Sequence, residues 1–300
     1  MLHRLALAVM SGVAFTFCAG AQGADTSATK AWLLAADRAL ARAVSEKGIA
    51  ALVDALSPDA AVLFPGQPIL RGRDAAGPLV ARYGGASRTG WRVIAAVASI
   101  DPGFGCTTGF STFTSAADTL HRERGGDYLA CWRRSANGVP QLIGWQRSDS
   151  PLGAPLPLAT FDGGAMPRSA TQKGGGGALA ATQDADAMFA EAGSTRSGPG
   201  EAFASWVAAD GLFPGSSDGL RGVAMVHASF NQWPNGTVLL WGPTRSAGYA
   251  AGGLAFTVGE AVRRNADTGA VLAKTKYFTV WRLDADGRWR WIFDLGSDRP

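Results

Sequence analysis

Few residues of this 300-residue chain have types and surroundings suited to chemistry, and most of them lie in its second half. Asp294 and Tyr277 fall in predicted strands, and His227 falls in a short predicted helix beside Met225 and Phe230. A carboxyl group among apolar side chains can act as a general acid or base, because burial moves its pKa toward neutrality. Each residue also has an ordinary interpretation: an edge-strand charge for Asp294, and a core or rim position for Tyr277 and His227.

Two arginines and two tryptophans recur at equivalent positions. Arg71 and Arg221 each stand between a leucine and a glycine, after a Phe-Pro-Gly turn. Such an arginine can pin a loop onto a carboxylate or a carbonyl, or it can bind an anion at the mouth of a cavity. Trp132 and Trp281 are candidates to line a binding cavity, although tryptophans of this kind also fill a sheet or an interface.

Signals for other chemistries are missing from the sequence. It contains no Gly-x-Ser-x-Gly motif, no phosphate-binding loop and no His/Cys/Asp group with metal-ligand spacing, so we expect no metal and no cofactor. The formal net charge is only +4 and the arginines are scattered. A nucleic-acid-binding surface is usually a clustered basic stripe, so we expect no nucleic-acid partner.

These residues are arranged by an internal duplication. The sequence Leu-Phe-Pro-Gly occurs at 63–66 and again at 212–215, in both cases followed by Leu-Arg-Gly. Residues 128–149 align without a gap on residues 277–298, and eight of these 22 positions are identical. A repeat of this length is a whole domain rather than a solenoid unit of about 20–50 residues. The shared residues are mostly turns, glycines and aromatics, so we expect framework in both copies and no pair of identical active sites.

Hydrophobic periodicity predicts helices first and an antiparallel meander afterwards in each half. Helices are predicted at 30–53 with a break at Gly48, 74–83, 179–192, 201–208 and 223–230. Strands are predicted at 61–64, 91–100, 105–114, 120–133, 141–147, 237–241, 248–258, 271–283 and 288–295. Residues 57–59 are predicted to form a turn, and Asp59 and Asp210 are interpreted as turn-capping residues.

Cys106 and Cys131 are predicted to form a disulfide. If 105–113 and 120–133 are the two strands of a hairpin, pairing 106 with 131 centres the turn between Asp118 and Thr119, inside a polar segment. The two cysteines then face each other at roughly the cross-strand spacing that a disulfide needs. Two buried free thiols are the alternative.

The ends of the predicted domains follow from composition. Residues 1–23 have the basic start, apolar run and small residues of an export signal, so we expect a periplasmic protein with no membrane segment in its mature form. Phe17 precedes Cys18 where a lipobox requires a small residue, so lipidation is not expected. Residues 151–180 are rich in proline and glycine and are predicted to link a domain at 30–150 to a second at 181–300.

Several motifs resemble those of the DUF4440 group of exported SnoaL-like proteins, in the NTF2-like superfamily. They are Asp37-x-x-Leu40 with 45–48, Phe64-Pro65-Gly66 with Arg71-Gly72, the strand at 106–109, and the strand at 277–281 with 284–287 and Trp291. The resemblance implies an α+β fold in which helices pack on a curved antiparallel sheet to form a cone. It also implies that the two domains pair sheet to sheet as an internal pseudo-dimer, so that the chain can be monomeric.

The resemblance leaves three functions open. We expect binding of a small apolar molecule in one or both cones without catalysis. The alternative is an enzyme like ketosteroid isomerase or SnoaL, which would use general acid–base chemistry on a small cyclic substrate; the third is a scaffold with filled cones. Binding requires an open apolar cavity of about 300 Å³ or more, and catalysis requires a buried carboxyl with Tyr, His or Asp within hydrogen-bond reach.

Overall fold

The computed structural model describes residues 26–85, 87–116, 119–120, 123–149, 167–213, 220–230 and 233–300. The expected export signal at 1–23, with Cys18, and residues 151–166 of the expected linker lie outside the described residues. None of the helices in these ranges is both long enough and apolar enough to cross a membrane.

The first half places helices against one face of a six-stranded sheet. Its helices are α1 (Ser27–Lys47), α2 (Ile49–Ala55), α3 (Gly72–Ala76) and α4 (Pro78–Tyr83). Its strands are β1 (Leu56–Leu63), β2 (Leu70–Arg71), β3 (Arg88–Ala98), β4 (Phe104–Thr114), β5 (Glu123–Arg134) and β6 (Pro140–Arg147). The strand order is β2-β1-β6-β5-β4-β3. Gly48, at a φ of 75°, separates α1 from α2 as the sequence predicts.

The second half repeats this plan. Its helices are α5 (Ala178–Gly193), α6 (Gly200–Trp206) and α7 (Gly222–Phe230). Its strands are β7 (Val207–Phe213), β8 (Leu220–Arg221), β9 (Thr237–Pro243), β10 (Tyr249–Ala251), β11 (Leu254–Asn265), β12 (Val271–Leu283) and β13 (Trp289–Asp298). The order is β10-β11-β12-β13-β7-β8, and β9 also pairs with β11. Both halves are α+β cones.

Several predicted elements differ from the structure. The helix predicted at 74–83 is two helices, α3 and α4, because Pro78 begins a new helix, and the helix predicted at 201–208 ends at Trp206, after which β7 begins. The sheets are mixed, because β1 runs parallel to β6 and β7 runs parallel to β13. Residues 57–59 belong to β1, where the register with β6 shifts; such an irregularity tolerates Pro58, which cannot donate a ladder hydrogen bond. Residues 248–258 form a hairpin of β10 and β11 rather than one strand, because Gly252 and Gly253 both take positive φ.

Asp59 and Asp210 make ion pairs with the sheet, which is a further difference from the predicted turn caps. The Asp59 carboxyl lies 3.2 Å from Arg133, and the Asp210 carboxyl lies 2.8 Å from Arg282. The repeat conserves both partners, so this contact is framework. The Arg282 side chain is only 2% exposed. It also donates to the Arg168 carbonyl oxygen at 2.9 Å, and this hydrogen bond holds the segment before α5 against the second sheet.

The two sheets pack face to face and share one hydrophobic core. Leu129 and Cys131 of β5 and Ile143 of β6 belong to the same buried cluster as Phe256 and Phe278 of β11 and β12. The approach is close: a Cβ placed at Gly144 would lie 2.7 Å from the Phe278 ring. The halves therefore form an internal pseudo-dimer, as the resemblance implies.

The disulfide lies in this shared core. Cys106 and Cys131 are bonded, fully buried and directly opposite each other on β4 and β5. The pairing continues in the same register to Thr114 and Glu123, so the predicted disulfide and hairpin register are confirmed. The second half has no cysteine, so the crosslink belongs to the first copy alone.

Candidate functional site

Each cone buries an aspartate on its first helix beneath the concave face of its sheet. Asp37 of α1 and Asp186 of α5 are both fully buried and lie 149 positions apart. Their surroundings are equivalent by strand register, because Gly109 pairs with Tyr128 in the first sheet and Gly259 pairs with Tyr277 in the second. Tyr128 therefore stands to Asp37 as Tyr277 stands to Asp186. Where the residues around the two carboxyls differ, the difference can be related to a difference in function between the cones.

In the first cone the carboxyl of Asp37 is fully occupied. Trp91 Nε1 donates to Oδ1 at 2.9 Å, the Tyr128 hydroxyl donates to Oδ1 at 3.0 Å, and Thr107 Oγ1 donates to Oδ2 at 2.5 Å. Trp132 Nε1 then donates to Thr107 Oγ1 at 3.1 Å. Burial raises the pKa of Asp37 to about 6, although these hydrogen bonds oppose the rise.

The interior of the first cone is filled by two side chains of β6. Trp145 is fully buried and stacks on Tyr128 with ring centroids 5.2 Å apart. Arg147, whose side chain is only 3% exposed, lies over the Phe113 ring at 4.9 Å and makes an ion pair with Asp149 at 2.6 Å. An internal aromatic stack and an internal ion pair thus occupy the space that a ligand would need.

The second cone is open at the same place. Strand β13 carries Asp294 where β6 carries Trp145, because Asp294 pairs with Thr279 and Trp145 pairs with Ala130. Two residues further along, Gly296 stands at the position of Arg147. The cavity that results has a volume of about 300 Å³. Its apolar wall consists of Phe189, Phe203, Phe230, Trp233, Leu239, Trp241, Ala261 and Ala273. Its other lining residues are Arg263, Thr275, Tyr277, Asp294, Gly296 and Asp298.

Two buried carboxyls lie at this cavity: Asp294 lines it, and Asp186 is hydrogen-bonded to the lining residue Tyr277. Asp294 is 7% exposed, lines the cavity and accepts a hydrogen bond from Thr279 Oγ1 at 2.5 Å. Burial, together with the nearby charge of Asp186, raises its pKa to about 7 against the effect of Thr279. The Tyr277 hydroxyl donates to Asp186 Oδ2 at 3.0 Å. Burial raises the pKa of Asp186 to about 7, and the nearby hydroxyls of Thr257 and Tyr277 oppose the rise.

A glycine explains why Asp186 is less fully bonded than Asp37. Trp241 stands at the strand position of Trp91, yet within the described residues it makes no hydrogen bond to Asp186, and Asp186 Oδ1 has no partner there. Its ring instead lies against α5, where a Cβ at Gly193 would be only 2.1 Å away. The equivalent position in α1 is Val44, a branched side chain buried in the first core.

The other sequence candidates lie away from the cavity. Trp281 is fully buried and donates its Nε1 to Thr257 Oγ1 at 2.8 Å, as Trp132 does to Thr107, so both support a hydrogen-bond network beneath the carboxyl. The His227 ring lies at the surface with Nε2 2.8 Å from Glu201 Oε1. It is not among the residues that line the cavity.

The two repeated arginines do not meet at a cavity mouth. Arg71 is exposed and donates to the carbonyl oxygen and hydroxyl of Ser246, so it joins the first half to a loop of the second. The side chain of Arg221 lies outside the described residues. In the described part of the chain, no group of three or more His, Cys, Asp or Glu side chains could hold a metal ion.

Sequence reasoning missed Asp186 and Arg263. Asp186 lies on a helix, where an aspartate is ordinarily solvent-exposed, and only its 149-residue separation from Asp37 marks it as special. Arg263 carries no sequence signal, because Phe113 stands at its position in the first copy. Tyr277 and Asp294 were candidates from their strands, and the structure brings these two together in one cavity.

No protein-family model matches the chain, and the search of curated proteins found no match. Among solved structures, a ketosteroid isomerase-like protein from Erwinia carotovora atroseptica is 20% identical with a TM-score of 0.36, over 40% of this chain and 94% of its own. An NTF2-like superfamily protein from Salmonella enterica is 13% identical with a TM-score of 0.35, over 41% and 92%. Δ5-3-ketosteroid isomerase from Mycobacterium sp. is 15% identical with a TM-score of 0.31, over 38% and 90%.

Proposed function

We propose that this chain is an exported, periplasmic tandem protein of the DUF4440 group whose second cone binds a small, mainly apolar molecule. The first cone is its filled structural partner. The exchange of Trp145 for Asp294 and of Arg147 for Gly296 carries this proposal, because it empties one cone and leaves its duplicate packed. In this proposal the mature chain is a monomer, its two sheets pair with each other, and it has no nucleic-acid or membrane partner.

The chemistry of the cavity supports an amphipathic ligand. Five aromatic side chains contribute to its wall, and such surfaces favour flat or cyclic apolar bodies. Its volume of about 300 Å³ lies at the lower end of the usual range for ligand pockets. Asp294 on the lining holds its proton up to a pH of about 7, so it can donate a hydrogen bond to an oxygen of the ligand.

Filling the second cone by substitution tests binding. The variant Asp294→Trp/Gly296→Arg introduces the two side chains that close the first cone, and it should lose any small molecule that copurifies with the wild-type chain. Native mass spectrometry of protein purified from the periplasm measures this directly. Lys274→Gln is the control, because Lys274 is exposed on the same sheet and is not among the cavity-lining residues. A closed variant that stays folded and keeps the same bound molecule would contradict the proposal.

A second candidate function is proton transfer within the same cavity. Asp186 and Asp294 both have pKa values of about 7, so near neutral pH one can hold a proton while the other is charged. Tyr277 adjoins the pair as a hydrogen-bond donor. Asp294→Asn distinguishes the two functions with the copurified molecule: an enzyme should lose at least about 100-fold in turnover while still binding it. A binding protein has no turnover to lose.

A further inference from the structure

Arg263 of β11 is the cation of the second cavity, and it is incompletely bonded. It lines the cavity, and its Nε atom is buried without a hydrogen-bond partner in the described part of the chain. Two other arginines of the second half are paired: Arg245 with Asp184 at 2.6 Å, and Arg290 with Asp286 at 2.6 Å. Leaving a buried donor unpaired is costly, so such a group is a candidate for completion by a ligand.

A second donor in the same wall has the same property. Trp233 lines the cavity beside Phe230, and its Nε1 atom is buried with no hydrogen-bond partner among the described residues. The indole and guanidinium N–H groups are donors only, so the missing partner of each must be an acceptor. The positive charge of Arg263 selects an anionic acceptor, and its planar fork fits a carboxylate.

The first cone supplies its own equivalent of this missing group. There the cation is Arg147, which lies over Phe113 and makes an ion pair with Asp149 at 2.6 Å. The Nε atom of Arg147, like that of Arg263, is buried without a hydrogen-bond partner in the described part of the chain, so the two cones differ in the carboxylate that faces the arginine. In the second cone β13 has Gly296 in place of that arginine, and Arg263 stands in place of Phe113. Asp298, the equivalent of Asp149, also lines the cavity, but no ion pair joins it to Arg263 within the described ranges.

The acidic groups around the cavity leave room for an anion at Arg263. Asp294 is uncharged over most of the acidic range because burial raises its pKa to about 7. Asp298 is exposed to solvent, and the ammonium group of Lys276 lies close enough to offset its charge and donates to its backbone oxygen. A ligand carboxylate beside Arg263 therefore meets a net attractive site, particularly below neutral pH.

We propose that the ligand of the second cone is a small carboxylic acid with a cyclic or aromatic body. Its carboxylate binds Arg263 and Trp233, and its apolar body packs on the aromatic wall. This rests on the proposed function and makes it more specific, since binding in the cavity alone does not require an anionic group. The acid would complete in the second cone the ion pair that Arg147 and Asp149 make in the first.

A matched pair of probes tests the proposal on the full mature chain. 1-Naphthaleneacetate and 1-naphthaleneacetamide share size and shape and differ in charge, and tryptophan fluorescence titration at pH 6 measures both. We expect the acid to bind at least about tenfold more tightly, from a charge-assisted hydrogen bond. Arg263→Gln should remove this preference while keeping the affinity for the amide. Arg264→Gln is the control and should keep the preference, because the Arg264 side chain donates to the Gly269 carbonyl oxygen and is not among the cavity-lining residues.

The outcomes separate the two proposals. Equal binding of acid and amide to the wild-type chain, or a preference that survives in Arg263→Gln, overturns the carboxylate site and leaves binding in the cavity intact. Failure of both probes to bind, together with no copurifying molecule, overturns the binding function itself. Loss of amide binding in a folded Arg263→Gln would show that this arginine shapes the cavity rather than recognising charge, which also overturns the proposal.

Discussion

Asp294 and Trp145 occupy the same position in the two sheets, yet they give their cones opposite properties. Trp145 stacks on Tyr128 and fills the interior of the first cone, so no cavity remains there for a ligand among the described residues. Asp294 is smaller and bonded to Thr279, where the first sheet has Ala130. The threonine provides the hydrogen bond that makes a buried carboxyl tolerable, so the two substitutions belong together.

The buried carboxyls predict a pH-dependent stability. The pKa values of Asp186 and Asp294 are about 7 in the folded chain, above the value of 3.8 for a solvated aspartate. The folded state therefore binds more protons between these limits, and the stabilisation present below about pH 4 is lost as the pH rises to about 7. Each carboxyl contributes a slope of up to about 1.4 kcal/mol per pH unit. Asp37 and Asp127, with pKa values raised to about 6 and about 7, act in the same direction.

Urea unfolding between pH 4.5 and pH 8 measures this slope. Asp294→Asn removes one titrating group and should flatten part of the decline. Leu272→Ala is the control, because it changes an exposed side chain of the same sheet that does not titrate, and it should leave the slope unchanged. A wild-type stability that rises with pH over this range, or an Asp294→Asn variant with the full wild-type slope, would contradict the buried-carboxyl interpretation.

At the scale of elements, the contact between α5 and β9 shapes the second cone. Gly193 is the last residue of α5, and the Trp241 ring occupies the space where a side chain would stand. Gly193→Val restores the residue type of α1 and should force Trp241 away from the helix. We expect a loss of about 1–3 kcal/mol in the free energy of unfolding from overpacking, and at least about tenfold weaker probe binding as the ring moves.

Chemical unfolding and probe titration of the same variant measure both effects. Gly242→Ala is a matched control, because Gly242 is adjacent to Trp241 and has nothing within 4 Å of its would-be Cβ. If Gly193→Val and Gly242→Ala behave alike, Trp241 is not held by this glycine.

The elements also show how far sequence reasoning reaches. Helices α1, α5 and α7 follow from local periodicity, and their predicted bounds differ from the observed ones by only a few residues. The parallel pairing of β1 with β6 cannot be predicted from local periodicity, because it joins segments some 80 residues apart. The sequence predicts one strand at 248–258, because the residues on both sides of Gly252 and Gly253 are apolar, and local pattern does not show that the chain reverses there.

The site was less predictable than the fold for a related reason. Tyr277 and Asp294 stand out in the sequence, but their proximity depends on the curvature of β12 and β13. Asp186 is polar by type, and only the closing of the cone over α5 makes it buried. Arg263 is one of many scattered arginines, and its significance comes from the unbonded Nε atom. Each of these properties is created by packing between segments that are distant along the chain.

At the scale of the whole molecule, the two repeated halves share a single hydrophobic core. The second sheet contributes the Phe256 and Phe278 rings, which stack with their centroids 4.8 Å apart. The first sheet has Gly144 opposite these rings, where a side chain would collide with them. Gln146 Nε2 donates to Ser297 Oγ at 3.1 Å across this contact. Covalent linkage gives the two halves a high effective concentration, so one copy can specialise while the other supplies packing.

The shared core predicts that the two halves unfold together. Phe278 is fully buried in it, so Phe278→Ala should lower the free energy of unfolding by about 3–5 kcal/mol and should weaken both halves at once. Tryptophan fluorescence and far-ultraviolet circular dichroism should then give coincident transitions in both proteins, at a lower denaturant concentration in the variant. Leu272→Ala, on an exposed position of the same strand, should leave the midpoint in place. Two separate transitions, of which Phe278→Ala shifts only one, would mean that each half is stable without the other and that the sheet-to-sheet contact is an accessory to folding.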